Sequence, residues 1–427
     1  MGASPENPLS VVRALVQLLG SVLDDRPPAA AAETDWPELL RLAQRQGVAA
    51  YLYPSLVGAP PNHRPPATVL NDWRLVFLAA AADAARREAQ AQELLAALSR
   101  AHVDAVPLKG LWLAAAIYDD SARRHMTDLD VLVPPDDLPR ARDALQPLGY
   151  VVLGGAPAMD RDIDQTLVSA RQPLPLELHW HLGIGHQPPL HRPELSGLWQ
   201  RLESGVLYGA PVRLLRPEEH LIYLAYHILH HRFAVPLRSY LDLVLLARTL
   251  AGRCDRRQLD AIVAEWGLTQ AAPRVLGLAW ELFAQPPPAW LADWMPAAEQ
   301  PLRAAAVGTI LTGVAQPALP AERTLLAFRA RHPLARLALI VERVFRPRNE
   351  LLRTYPCARF RAGLPLAYAL RVRDLLRQYS ASVRRVLRRE REVTSQLDRA
   401  AAREALVRWT LSAEAPPPAP GPARRSA

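Results

Sequence analysis

Lysine is almost missing from this chain. Of the 51 basic residues only Lys109 is a lysine; the others are arginine. A composition loaded with Ala, Arg, Leu and Pro points to a GC-rich coding bias that writes arginine wherever either cation will serve. A lysine kept against that bias marks a place that needs a compact, rotatable ammonium rather than a planar guanidinium. Cysteine is scarce as well. Cys254 and Cys357 lie far apart and match no metal or redox spacing, which excludes a disulfide framework and fits a reducing cytoplasm. No stretch reaches the roughly 18 uncharged apolar residues that a membrane span needs. The first 25 residues lack a basic leader and are interrupted by Glu6 and Arg13, so no secretory signal is expected there. Together these absences predict a cytoplasmic protein with no membrane span.

What is present is a chain of 427 residues, half of them hydrophobic, enough for two or three packed domains. The net charge of +9 raises nucleic acid as a partner. The arginines are scattered along helical segments and not massed with aromatics, so a solvated basic surface is favoured. Arg384–Arg391 is read the same way, as a solvated helix face.

The pattern divides the chain into four. Residues 1–102 read as an N-terminal helical region, with helices over 8–25, 35–57 and 68–102 and Pro-rich breaks at 26–32 and 58–66. Residues 103–215 alternate short apolar runs with helical stretches. Strands are expected at 103–108, 128–133, 150–153, 165–169 and 174–182, helices at 110–118 and 136–147, and a hairpin over 206–214. Residues 216–412 are helical again, in nine segments: 217–232, 236–251, 256–266, 269–284, 298–314, 320–330, 333–346, 365–389 and 393–412. The Pro/Ala-rich tail, 413–427, is expected to be disordered. The fold class is therefore α+β, an α/β domain flanked by helical regions.

The chemistry gathers in the middle part. In Asp128-Leu129-Asp130-Val131-Leu132-Val133 the β-branched run argues for a buried strand, on which Asp128 and Asp130 project from one face. Two adjacent carboxylates repel unless a cation sits between them, and Mg²⁺ (or Mn²⁺) is the natural occupant. Asp-x-Asp alone is a common pattern, and taken alone a solvated strand end or a cap for the next helix explains it better. Its surroundings change the balance. Upstream, Leu108-Lys109-Gly110 joins a strand to a helix, a place where a phosphate can approach backbone N–H groups. Downstream, Leu176-Glu177-Leu178-His179-Trp180-His181 alternates, putting Glu177, His179 and His181 on one face. His179 and His181, with His186 and His191 nearby, also permit a zinc site. A partner to Glu177, or a substrate contact, is the stronger reading of His179. On a later helix His227 and His231 share a face, open to substrate contact, interdomain packing or a metal, with Asp242 on the next helix able to pair with one of them. Tyr223, Tyr226 and Tyr240 read as core.

These motifs resemble the DNA polymerase β-like nucleotidyltransferase superfamily, and in detail its uncharacterised bacterial nucleotidyltransferase family. The resemblance rests on Leu108-Lys109-Gly110, Tyr118, Arg124, Asp128–Val133, Gly149-Tyr150, Glu177-Leu178-His179-Trp180, and His227, His231, Leu241 and Asp242. Its layout covers roughly residues 35–380. It departs from the wider superfamily in having Lys-Gly where Gly-Gly or Gly-Ser usually precedes the helix, which bears on how the outer phosphates are held. The resemblance implies a polymerase-β-like catalytic domain that transfers a nucleoside monophosphate from an NTP to an acceptor and releases pyrophosphate. Asp128, Asp130 and Glu177 would hold the metals and serve catalysis; Lys109, Gly110 and Arg124 would bind the nucleotide. His179, His227, His231 and Asp242 are candidate substrate contacts. A small molecule or a peptide or protein is favoured over nucleic acid as acceptor. The alternative from another class is a non-catalytic nucleotide-binding or antitoxin-like partner protein on the same scaffold.

Overall fold

The structure is a computed structural model. It describes residues 8–28, 34–154, 162–183, 195–250, 254–295, 299–315, 355–387 and 391–412, with single positions between them. The expected helices at 320–330 and 333–346, the tail at 413–427, and His186 and His191 lie mainly or wholly outside the described residues. Among the described residues, 8–153 and 159–315 with 406–412 cluster as one compact unit, and 355–405 belong to a second.

The first unit opens with α1 (Pro8–Leu23), α2 (Trp36–Arg45), α3 (Ala49–Gly58) and the long α4 (Ala67–Arg100). The single helix expected over 35–57 is two. Asp35 caps α2 by accepting the Glu38 N–H at 3.0 Å. Gly47 then ends it with φ +70°, a left-handed turn that costs glycine little. The Val48 N–H closes that turn on the Ala43 carbonyl at 2.9 Å.

Next come β1 (Val106–Pro107), α5 (Lys109–Ala116), β2 (Leu129–Leu132), α6 (Leu138–Leu145), β3 (Val151–Val152), β4 (Asp164–Val168) and β5 (Leu176–His179). Four of the five strands are shorter than expected, and β4 keeps its length one residue earlier. They form one sheet in the order β1-β2-β5-β4-β3, parallel only between β2 and β5. After α7 (Ser196–Arg201) comes the hairpin of β6 (Glu203–Leu207) and β7 (Ala210–Leu214). It is longer than expected, because Tyr208 and Gly209 both take positive φ and make a two-residue turn that matches strand twist. Helices α8 (Pro217–His230), α9 (Leu237–Thr249), α10 (Arg256–Glu265), α11 (Ala271–Leu282), α12 (Ala289–Ala292) and α13 (Gln300–Ala315) follow. Two further helices, Leu364–Leu387 and Arg391–Leu411, come later in the chain. No helix among the described residues is long and apolar enough to cross a membrane.

Period-two alternation sorts the sheet into two faces. Leu129 and Val131 of β2 and Leu176 and Leu178 of β5 pack with Leu94, Leu95 and Leu98 of α4 and with Leu138 and Leu145 of α6. The opposite face carries Asp130, Glu177 and His179. Val106, Leu108 and Leu132 join a separate, larger core built from α1–α3, α8–α11 and α13. Helices from both ends of the sequence thus share one core with the rim of the five-stranded sheet.

Candidate active site

Register builds the site. Asp130 lies opposite Glu177 across the parallel β2–β5 pair, and Leu132 lies opposite His179. A ligating atom from each of Asp130, Glu177 and His179 comes within 4.8 Å of the others. His179 Nε2 is 2.8 Å from Asp130 Oδ1 and 3.6 Å from Glu177 Oε2, so its first partner is Asp130 rather than Glu177. Asp164, opposite His179 on β4, brings Oδ2 to 4.0 Å from the other ring nitrogen. That Nδ1 is buried and has no hydrogen-bond partner among the described residues. Asp128 stands just ahead of β2 and is half-buried. Burial raises its carboxyl pKa, and the charges of Asp130 and Glu177 raise it further. His181 lies past the strand end and accepts the Gly183 N–H at 3.0 Å, outside the cluster.

Lys109 opens α5 with φ +44°, a backbone region rare for a side chain of its size. Its ammonium turns back to Asp130 Oδ1 at 2.7 Å, and the Tyr223 hydroxyl faces it from α8. Burial opposes the charge on Lys109, but Asp130 overrides it and the pKa is raised. Burial likewise opposes ionisation of Asp130, yet Lys109 and His179 hold its pKa far below the carboxylate range. For His179, burial pulls down and the bonds to Asp130 and Glu177 pull up; the result is about 9. One buried carboxylate is thus met by two cations.

Gly110 packs closely against protein. A Cβ there would come within 2.7 Å of Met126 Cγ and 3.4 Å of an Arg124 nitrogen. The Cβ side of this glycine is filled by Met126 and Arg124. Arg124 is also committed. Its Nε donates to Asp242 Oδ1 and Oδ2 at 2.8 and 3.0 Å, and its Nη2 donates to Oδ2 at 2.6 Å. The Tyr118 hydroxyl adds a bond to Asp242 Oδ1 at 2.7 Å. Asp242 therefore pairs with Arg124 and Tyr118 and not with a histidine, because α9 packs it against the segment that leads into β2. Arg87 of α4 reaches the carbonyl of Arg124 at 3.2 Å and closes the network.

The stripe Tyr223 and His227 of α8 and His231, which caps its C-terminus, runs at four-residue spacing and faces the carboxylates. The His227 and His231 rings lie 4.5 Å apart. Burial lowers both imidazole pKa values, and nearby Lys109 lowers them further. The sequence reads Tyr223 as core and does not mark Asp164. The four-residue step back from His227 marks the first, and the register partner of His179 is the second.

The family's model, described as an uncharacterised nucleotidyltransferase, matches residues 32–284. The chain belongs to the uncharacterised nucleotidyltransferase family. It is a transferase enzyme, and the family implies an NTP substrate and an acceptor. Nucleotidyltransferases generally use divalent metals. The donor set fits such an ion: two carboxylates and an imidazole offer ligand atoms within 4.8 Å of one another, and Asp128 stands beside them. Among solved structures, the antibiotic-resistance factor ANT(2'')-Ia in solution is 15% identical, covering 42% of this chain and 91% of its own, with a TM-score of 0.31. A crystal structure of ANT(2")-Ia in complex with adenylyl-2"-tobramycin is 17% identical, covering 42% and 96%, with a TM-score of 0.30. No curated protein matches the chain.

Proposed function

We propose that this enzyme transfers a nucleoside monophosphate from an NTP to an acceptor hydroxyl and releases pyrophosphate, on a polymerase-β-like α/β domain. The observation that carries this reading is the register of Asp130 against Glu177 on adjacent parallel strands, in a chain of this family. A divalent cation, Mg²⁺ or Mn²⁺, held by Asp130 and Glu177 with Asp128 beside them, would neutralise charge on the reacting phosphate.

The chain's own residues take distinct tasks. Lys109 keeps Asp130 ionised and in place. Glu177, with its side chain about a third exposed, is open enough to take the acceptor's proton. Arg124, Asp242 and Tyr118 position the segment that carries Asp128. His227 and His231, whose pKa values are lowered by desolvation and by Lys109, face the acceptor side with hydrogen-bonding rings. Such a surface favours a hydroxyl-bearing small molecule or a peptide or protein side chain over a nucleic-acid backbone.

The test is label transfer from each of the four NTPs, with Mg²⁺ or Mn²⁺ and a panel of acceptors, alongside pyrophosphate release. Asp130→Ala and Glu177→Ala should each cut turnover by on the order of 10³-fold. Transfer that survives in both variants overturns the assignment. NTP binding by the wild type with no turnover on any acceptor favours a binding role.

A further inference from the structure

Cations crowd the approach to the carboxylates, and most of them are spent. Lys109 sits on Asp130, and Arg124 is bidentate on Asp242. Arg87 is held by the Ser121 and Arg124 carbonyls, and Arg123 lies over the Tyr51 ring at 4.6 Å. Arg238 differs. It is the second residue of α9 and largely buried, yet among the described residues its guanidinium makes no hydrogen bond and no ion pair. The charged groups around it are Arg124, Asp242 and Asp128, with the Tyr118 hydroxyl. His125, three residues ahead of Asp128, also feels its charge.

The chain has built a slot for this side chain. The Gln46 carbonyl accepts the Arg238 N–H at 3.3 Å, and Gln46 Oε1 accepts the Leu237 N–H at 2.9 Å. The Arg238 stem then runs across Gly47. A Cβ on Gly47 would come within 2.8 Å of Arg238 Cδ and 3.0 Å of Nη1. Gly47 thus both turns the chain and leaves room for the arginine. A planar fork held beside Asp128 with its donors unspent matches an anion with several oxygens, and a triphosphate's outer phosphates are such an anion.

We infer that Arg238 grips the β- and γ-phosphates of the nucleotide and the departing pyrophosphate, and that the Gln46–Gly47 turn aims it. This rests on the nucleotidyl-transfer reading and assigns to Arg238 the task that the sequence suggested for Arg124. Burial, with Arg124 beside it, leaves the Arg238 charge under-compensated, so a bound phosphate supplies the missing anion.

Calorimetric titration of the wild type and variants with ATP, GTP, CTP and UTP, their monophosphates, and inorganic pyrophosphate, all with Mg²⁺, tests it. Arg238→Ala should weaken the NTP that the wild type binds, and pyrophosphate, by about 10- to 100-fold, with the monophosphate changed less than about twofold. Arg238→Lys should recover part of the loss, and Gly47→Ala should produce the same split between triphosphate and monophosphate to a smaller extent. Unchanged NTP affinity in Arg238→Ala, or an equal loss for monophosphate and triphosphate, overturns the inference alone. A wild type that binds none of the NTPs or pyrophosphate overturns the nucleotidyl-transfer reading and the inference together. Should Arg238→Ala fail to fold, Arg238→Gln carries the same comparison.

Discussion

Lys109 holds a backbone conformation that a glycine would adopt freely, and it does so because its ammonium is anchored on Asp130. Two effects can therefore be separated at one position. Lys109→Ala loses the ammonium and keeps the strain; Lys109→Gly loses the ammonium and relieves it. The glycine variant should be the more stable of the two by about 1 kcal/mol in thermal unfolding, and both should lose turnover. Equal stability would mean that the left-handed turn costs nothing here. At this scale the sequence was informative about residue types and less so about partners. A lone lysine stood out against the arginine background, and alternation placed Glu177 and His179 on one face. Asp128 was less legible. The strand starts at Leu129, so the two-residue period that would pair Asp128 with Asp130 applies only in part. Arg238 carried no signal at all in a chain this rich in arginine. Only its unspent guanidinium in three dimensions sets it apart.

The buried clamp of Arg124 on Asp242 joins two elements 118 residues apart. Removing one partner leaves an uncompensated buried charge, so Asp242→Ala should destabilise the fold by about 3–5 kcal/mol. Arg124→Met combined with Asp242→Leu should cost clearly less than the two single changes added together, as read by urea denaturation of all four proteins in a double-mutant cycle. Strict additivity would show that the two groups do not depend on each other. No sequence pattern names this pair. Which acid meets which base depends on how α9 packs against the segment before β2, and His227 was an equally reasonable partner for Asp242 until that packing was known. Helix interiors were legible because apolar spacing repeats along them, whereas their ends were not. The break at Gly47 hid inside a continuous amphipathic run, and the reach of the hairpin depended on positive φ at Tyr208 as well as Gly209.

Across the whole molecule, acid stability depends in part on a histidine buried as a neutral ring. His220 stacks on Trp112 with ring centroids 4.1 Å apart, and both of its nitrogens lack partners among the described residues. Burial pushes its pKa from 6.5 down to about 3. The unfolded chain accepts this proton near 6.5, whereas the folded chain resists it. The contribution of His220 is therefore complete above 6.5 and declines as the pH falls toward 3. His220→Phe, which keeps a ring against Trp112, should flatten the fall in urea midpoint between pH 6.5 and 4. A slope identical to the wild type would remove His220 from the account. The core shared between the rim of the sheet and the flanking helices has a different kind of consequence. A gene fragment ending after the closing hairpin at Leu214 would strip the cover from Val106, Leu108 and Leu132 and leave Arg124 without its counter-ion. The catalytic sheet is therefore not a portable cassette. It can be transplanted, shortened or recombined only together with α8 and α9, so any engineered swap must carry sheet and helices as one block.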